Sequence, residues 1–131
     1  MTLCYGARSQ EYLAGVERFQ SLPGLEVRIS TDDGTAGHHG YVTELLQQAI
    51  DAGEAPDRVY CCGPEPMMKA VRDICVVAEI PSWLSLESPM ACGFGACFSC
   101  VTKVRMPEGD WDYRRTCVEG PVFPGADLVF D

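Results

Sequence analysis

Apolar positions along the chain first come in short runs that alternate with amphipathic stretches. Residues 3–5 read as a short strand. Ser9 suits the N-cap of a helix whose face carries Tyr12, Leu13, Val16 and Phe19. Pro23-Gly24 ends it. Residues 25–30 alternate Leu, Val and Ile with polar and charged side chains, the period of a strand. A glycine-rich loop is expected over 32–40. Val42, Leu45, Leu46, Ala49 and Ile50 mark a second helix, stopped near Gly53. Residues 58–62 predict a strand that ends in Gly63-Pro64. Pro66 fits the first turn of a third helix, with Met67, Ala70, Val71, Ile74 and Ala78 on its apolar face. Residues 83–86 predict one more strand. Strands alternating with helices imply an α/β fold, a parallel sheet with helices packed on it. In such sheets the loops after the strands converge on the ligand crevice.

The pattern changes near residue 88. From there glycine, cysteine and proline dominate. Two domains are expected, 1–87 and 88–131. The chain contains no G-x-G-x-x-G phosphate turn; Gly93-Phe94-Gly95 comes nearest and lies among cysteines. Internal repeats and low-complexity segments are also missing from the sequence.

Composition narrows the function. The net charge is -9 over 131 residues, which repels phosphate backbones and argues against nucleic acid. No apolar run approaches the ~20 residues that span a bilayer. The N-terminus lacks a signal-peptide layout. These features lead us to expect a cytoplasmic protein with no membrane partner. Eight cysteines are then unusual. Cytosolic thiols stay reduced, so disulfides are a poor explanation.

Cys92-x4-Cys97-x2-Cys100, followed by Cys117, has the plant-type spacing for a [2Fe–2S] cluster. Three thiolates must converge on a body only a few ångströms across. Gly93, Gly95 and Ala96 keep the loop free of bulk, and glycine allows backbone N–H groups to approach sulfur. Structural zinc on the same four cysteines is the competing reading, although zinc sites more often use two short paired motifs. Cys4, Cys61 and Cys75 fit small buried hydrophobes on strand and helix faces. Cys62 precedes the Gly63-Pro64 turn and stays open.

The run from Met90 to Cys100, then Arg115-Thr116-Cys117-Val118-Glu119-Gly120-Pro121-Val122-Phe123, resembles the cluster domain of the electron-transfer subunits of class 1B dihydroorotate dehydrogenases. Upstream, Thr31-Asp32-Asp33-Gly34, Gly40-Tyr41-Val42-Thr43, Cys62-Gly63-Pro64-Glu65-Pro66-Met67 and Ser85-Leu86-Glu87 are similar to the ferredoxin-reductase-like nucleotide domain of that family. The resemblance implies a partial nucleotide-binding parallel sheet followed by a small [2Fe–2S] domain. It implies NAD(H) and FAD as further cofactors and an FMN-containing catalytic subunit as partner in a heterotetramer. Electrons would pass from NADH through FAD and the cluster to FMN, which interconverts dihydroorotate and orotate. Another iron–sulfur flavoprotein reductase, of the sulfide dehydrogenase or ferredoxin:NADP oxidoreductase type, is the neighbouring alternative.

By the same resemblance Cys62, Gly63 and Pro64 approach the nicotinamide, while Gly6 and Arg8 face the adenosine side. A plain strand-to-helix turn and a solvated arginine are the competing readings. Family members carry a flavin-binding barrel and a first strand with its phosphate turn ahead of the matched region. The resemblance therefore predicts that this chain is a C-terminal fragment, with open sheet edges beside the missing central strand. Of the remaining candidates, His38 and His39 are expected to be solvated loop residues. Arg114 and Arg115 either offset the charge of a thiolate-ligated cluster or are exposed. Phe94 and Phe98 either shield the cluster or meet the partner. Met67 and Met68 suit helix packing.

Overall fold

The computed structural model describes residues 1–130. It forms two compact units, Met1–Ala55 and a second beginning at Pro56.

In the first unit, β1 (Thr2–Ala7), β2 (Glu26–Thr31) and β3 (His38–His39) make a parallel sheet in that order. The β1–β2 register runs from Thr2 opposite Glu26 to Ala7 opposite Thr31. Side chains alternate across a strand, so neighbours on β1 meet different layers. Tyr5 packs edge-on against Phe19 and exchanges hydrogen bonds with the backbone of Ala14. Gly6 faces α2 (Val42–Asp51), where an added Cβ would stand 2.7 Å from Val42 Cβ. Glycine at this position lets the helix start close to the sheet. Leu45 is the buried centre of the expected apolar face of α2.

The helix expected after Ser9 is broken. A single 3-10 turn covers Gln10–Tyr12, Leu13 is extended, and α1 spans only Val16–Gln20. Gly15 causes the break: at φ +68 it takes a left-handed conformation that a continuous helix excludes. Ser9 does cap the 3-10 turn, but without a side-chain hydrogen bond. The expected 32–40 loop also needs correction, because β3 lies within it. His38 is not simply solvated. Its Nε2 lies 2.7 Å from Glu44 Oε2.

In the second unit, β4 (Val59–Cys62) and β5 (Ser82–Ser85) pair in parallel, and β8 (Val122–Pro124) adds antiparallel to β5. α3 (Glu65–Val77) covers this sheet with Met68, Val71 and Cys75, which are buried with Leu84, Phe123 and Leu128. The buried stripe is turned slightly from the expected Met67–Ile74 face. Cys75, fully buried, belongs to it as an apolar residue.

The region from residue 88 contains strands that its composition hid. β6 (Val101–Arg105) pairs antiparallel with β7 (Trp111–Arg115) on one side and β9 (Leu128–Val129) on the other. Arg72 of α3 donates from Nη1 to the Leu128 carbonyl at 3.1 Å and lies over the Phe130 ring. These contacts tie the C-terminal segment to the helix. Within the two units, β1 and β4 each end their own sheet.

Candidate functional site

The hairpin register builds the site. Val101 pairs with Arg115, and the pairing extends one step further: the Thr116 N–H donates to the Cys100 carbonyl at 2.9 Å. Cys100 ends the loop before β6 and Cys117 begins the turn after β7. Antiparallel pairing therefore brings together two thiols that are distant in sequence.

Cys92 and Cys97 sit on the loop before β6. Cys92 accepts hydrogen bonds from the backbone N–H groups of Phe94, Cys97 and Ala96 and from the Cys97 thiol. Those donors, led by Phe94, pull its pKa down to about 6. Gly93 and Gly95, at φ +74 and +91, give the loop the curvature that turns the N–H groups inward. Cys100 is lowered by the Cys117 backbone N–H and by the Cys117 thiol. Cys117 is raised in turn, first by donating to Cys100 and further by the charge of Cys92. The four thiols thus influence one another in two pairs, Cys92 with Cys97 and Cys100 with Cys117, and Cys117 also feels the charge of Cys92.

Among the described residues, no three His, Cys, Asp or Glu side chains close around a point as a single metal ion requires. Two pairs are a different arrangement. A two-iron cluster takes two protein ligands on each iron, so paired thiols in a cup of N–H donors fit it. The other cysteines differ in chemistry. Burial pushes Cys61 up to about 11 and also raises Cys4 and Cys75. Those thiols keep their protons at neutral pH.

Supporting residues surround the pairs. Ser99 Oγ lies 3.1 Å from Cys97 Sγ and accepts the Ala91 N–H. Thr116 is fully buried beneath Cys100. Arg115 reaches the Gly95 carbonyl and Glu119. Reading the sequence missed Ser99, Thr116 and Glu119. The Arg115/Glu119 spacing of four was the available signal for the last. Phe94 and Phe98 are both largely exposed.

The remaining candidates lie elsewhere. Cys62 is exposed at the end of β4, and Pro64 is the N-cap of α3. Gly63 and Pro64 line a cleft of about 460 Å³ with Met68, Leu86, Glu87, Lys103 and Tyr113. That volume suits a small ligand. Gly6 sits within β1 against Val42, and Arg8 is exposed just beyond it, its carbonyl accepting the Asp33 N–H.

Comparison with known proteins extends this picture. Residues 1–73 match the family model of the oxidoreductase NAD-binding domain. Residues 87–129 match the iron–sulfur cluster binding domain of dihydroorotate dehydrogenase B. The chain is 41% identical over 128 residues to the dihydroorotate dehydrogenase B (NAD(+)) electron transfer subunit of Caldanaerobacter subterraneus, covering 98% of this chain and 49% of that protein. Its counterpart in Clostridium perfringens is 44% identical over 105 residues, 80% of this chain and 39% of that one. A chain from the solved structure of an NADH-dependent reduced ferredoxin-NADP oxidoreductase superposes with a TM-score of 0.74 at 29% identity. It covers 98% of this chain and 44% of its own length. The chain spans about half the length, or less, of these relatives. It belongs to the oxidoreductase NAD-binding domain family, in the branch whose sequence continues into the iron–sulfur cluster binding domain of dihydroorotate dehydrogenase B electron transfer subunits.

Proposed function

We propose that the chain passes electrons between a nicotinamide–flavin centre and an FMN-containing dihydroorotate dehydrogenase subunit, through one [2Fe–2S] cluster held by Cys92, Cys97, Cys100 and Cys117. The observation that carries this is the β6–β7 register that brings Cys100 to Cys117, next to a loop whose three backbone N–H groups are aimed at Cys92. The bound cluster supplies one-electron exchange. The chain's own residues hold it, donate hydrogen bonds to sulfur and set its exposure. Cys97 is exposed and Cys100 buried, which gives the site one face toward solvent or a partner. Phe94 and Phe98 lie on that loop, and exposed aromatics favour docking to another protein.

On this reading residues 1–87 serve the nucleotide and 88–131 the cluster. Cys62, Gly63 and Pro64 receive the nicotinamide edge, since ligands favour the C-terminal ends of parallel strands. Gly6 and Arg8 stand on the adenosine side. FAD, the catalytic partner, the heterotetramer and a cytoplasmic location complete the proposal by relationship to the dihydroorotate dehydrogenase B subunits. No helix among the described residues is long and apolar enough to cross a membrane.

The test is anaerobic purification or reconstitution, followed by metal and acid-labile sulfide analysis. Two irons and two sulfides per chain, with a visible spectrum that bleaches under dithionite, are expected. Cys97→Ser should lose them. A colourless protein carrying stoichiometric zinc on the same cysteines would overturn the assignment.

A further inference from the structure

Arg115 begins two residues before Cys117 and reaches back to the loop that carries the other three thiols. Its Nη1 donates to the Gly95 carbonyl at 3.0 Å. Its Nη2 meets Glu119 Oε1 at 2.8 Å, and its Nε meets Oε2 at 3.3 Å. Its own backbone N–H donates to the same Oε2 at 2.8 Å. The guanidinium lies over the Phe98 ring, 4.9 Å from its centre. Phe98 holds φ +56, a left-handed conformation uncommon for an aromatic residue. One cation is therefore fixed on three sides, with 28% of its side chain exposed.

The neighbourhood is tight. A Cβ on Gly95 would stand 2.5 Å from Val118 Cγ2 and 3.3 Å from Arg115 Nη1. A planar fork that bonds a carbonyl, pairs with a carboxylate and stacks on a ring uses every property that separates arginine from lysine. Gly95 lies between Cys92 and Cys97, and Arg115 stands two residues before Cys117, so the cation is bound beside both cysteine-bearing segments.

We propose that Arg115 is a positioning residue for the cluster. It clasps the Cys92–Cys100 loop to the Cys117 turn, and its fixed positive charge raises the reduction potential, with Glu119 as the opposing charge. The proposal rests on the cluster reading above. One-electron reduction by dithionite breaks no bond and adds one negative charge to the site. A nearby fixed cation favours the more negative state, and a nearby carboxylate disfavours it.

The experiment uses Arg115→Gln, Arg115→Lys and Glu119→Gln in reconstituted protein. Potentials are read by redox titration with electron paramagnetic resonance, and iron loss is timed against a chelator. Arg115→Gln should lower the reduced-to-oxidised ratio at fixed potential about three- to tenfold, a negative shift of roughly 30–60 mV at 59 mV per tenfold for one electron. Glu119→Gln should shift in the opposite direction. Arg115→Lys should stay close to the parent in potential yet lose iron at least about threefold faster, since lysine keeps the charge but not the fork. A merely structural role predicts faster iron loss in all three variants with no opposed shifts, and that result overturns the proposal. If Arg115→Gln retains no iron, a parent-like potential in Arg115→Lys with a positive shift in Glu119→Gln supports the proposal, and an unshifted Glu119→Gln overturns it. Failure of the parent protein to bind iron and sulfide would instead defeat the cluster reading.

Discussion

Thr116 gives both of its hydrogens to one oxygen. Its N–H and its Oγ1 hydroxyl donate to the Cys100 carbonyl, at 2.9 and 3.1 Å. The side chain is fully buried, so no water replaces either bond. The strand pairing supplies the first bond and the residue type supplies the second. Together they fix the junction where the two cysteine-bearing segments meet.

Thr116→Val tests the hydroxyl alone. Valine keeps the shape and the backbone bond, but the carbonyl loses one of its two donors. The apoprotein should lose about 1 kcal/mol in a urea titration, the net worth of a typical buried hydrogen bond. Thr116→Ser should retain most of that. Equal stability of the valine variant and the parent would show that the hydroxyl contributes nothing.

Gly95 meets two demands at once. Its φ of +91 lies where a side chain is strained, and a Cβ there would press on Val118. Gly95→Ala should therefore cost roughly 1–3 kcal/mol of local strain and leave reconstituted protein deficient in iron and sulfide. Adding Val118→Ala removes the steric clash but not the backbone strain, so the double variant should recover only part of the loss. Full recovery would mean that the backbone conformation is unimportant.

Leu84 shows how the second unit is held. It is completely buried in β5, directly opposite Phe123 of β8. Leu84→Ala should destabilise this unit by roughly 2–5 kcal/mol, because the lost contacts add to an incompletely collapsed cavity. The urea midpoint should fall with an unchanged slope. A changed slope would point to an altered denatured state instead.

Periodicity alone made much of the fold legible. The alternation around Val27 and Ile29, and the face of α2 around Leu45, survive in the structure almost as read. Elsewhere local geometry overrode spacing. Tyr12, Val16 and Phe19 lie at helical intervals, but Gly15 turns left-handed between them. In the cluster region, Val101–Arg105 and Trp111–Arg115 are ordinary strands, hidden because cysteine, glycine and proline set the local composition. β8 and β9 have three and two residues, too few to show a period. For the site, the cysteine spacing was plain. Thr116 was not, because its role depends on a hairpin register that spacing does not encode, and Glu119 was signalled only by lying four residues after Arg115.

Glu44 links β3 to α2 through its carboxylate. Its Oε2 meets His38 Nε2 at 2.7 Å, and its Oε1 accepts the Tyr41 N–H at the start of α2. The His38 bond first, and the Tyr41 N–H second, hold its pKa below the usual 4.5. A carboxylate lowered in the folded state stabilises above its unfolded pKa, and that contribution fades as pH falls through the folded value. Glu44→Gln should thus melt a few degrees below the parent at pH 7. The gap should narrow steadily below pH 4.5. A gap that is constant with pH would assign the effect to packing rather than ionisation.

Gly6 separates two explanations of one residue. Family resemblance places it on the adenosine side of a nucleotide, whereas the fold sets it against α2, where an added Cβ would stand 2.7 Å from Val42 Cβ. Overpacking a tight contact costs roughly 1–3 kcal/mol, so Gly6→Ala should lower the melting temperature whatever its role in binding. Val42→Gly removes both obstructing atoms, Cβ and Cγ1. If packing is the whole reason for glycine, Gly6→Ala/Val42→Gly should regain stability relative to the sum of the single changes and bind NADH as Val42→Gly does, measured by fluorescence titration. A double variant that refolds well but binds several-fold more weakly than Val42→Gly would show that the missing Cβ also makes room for the nucleotide.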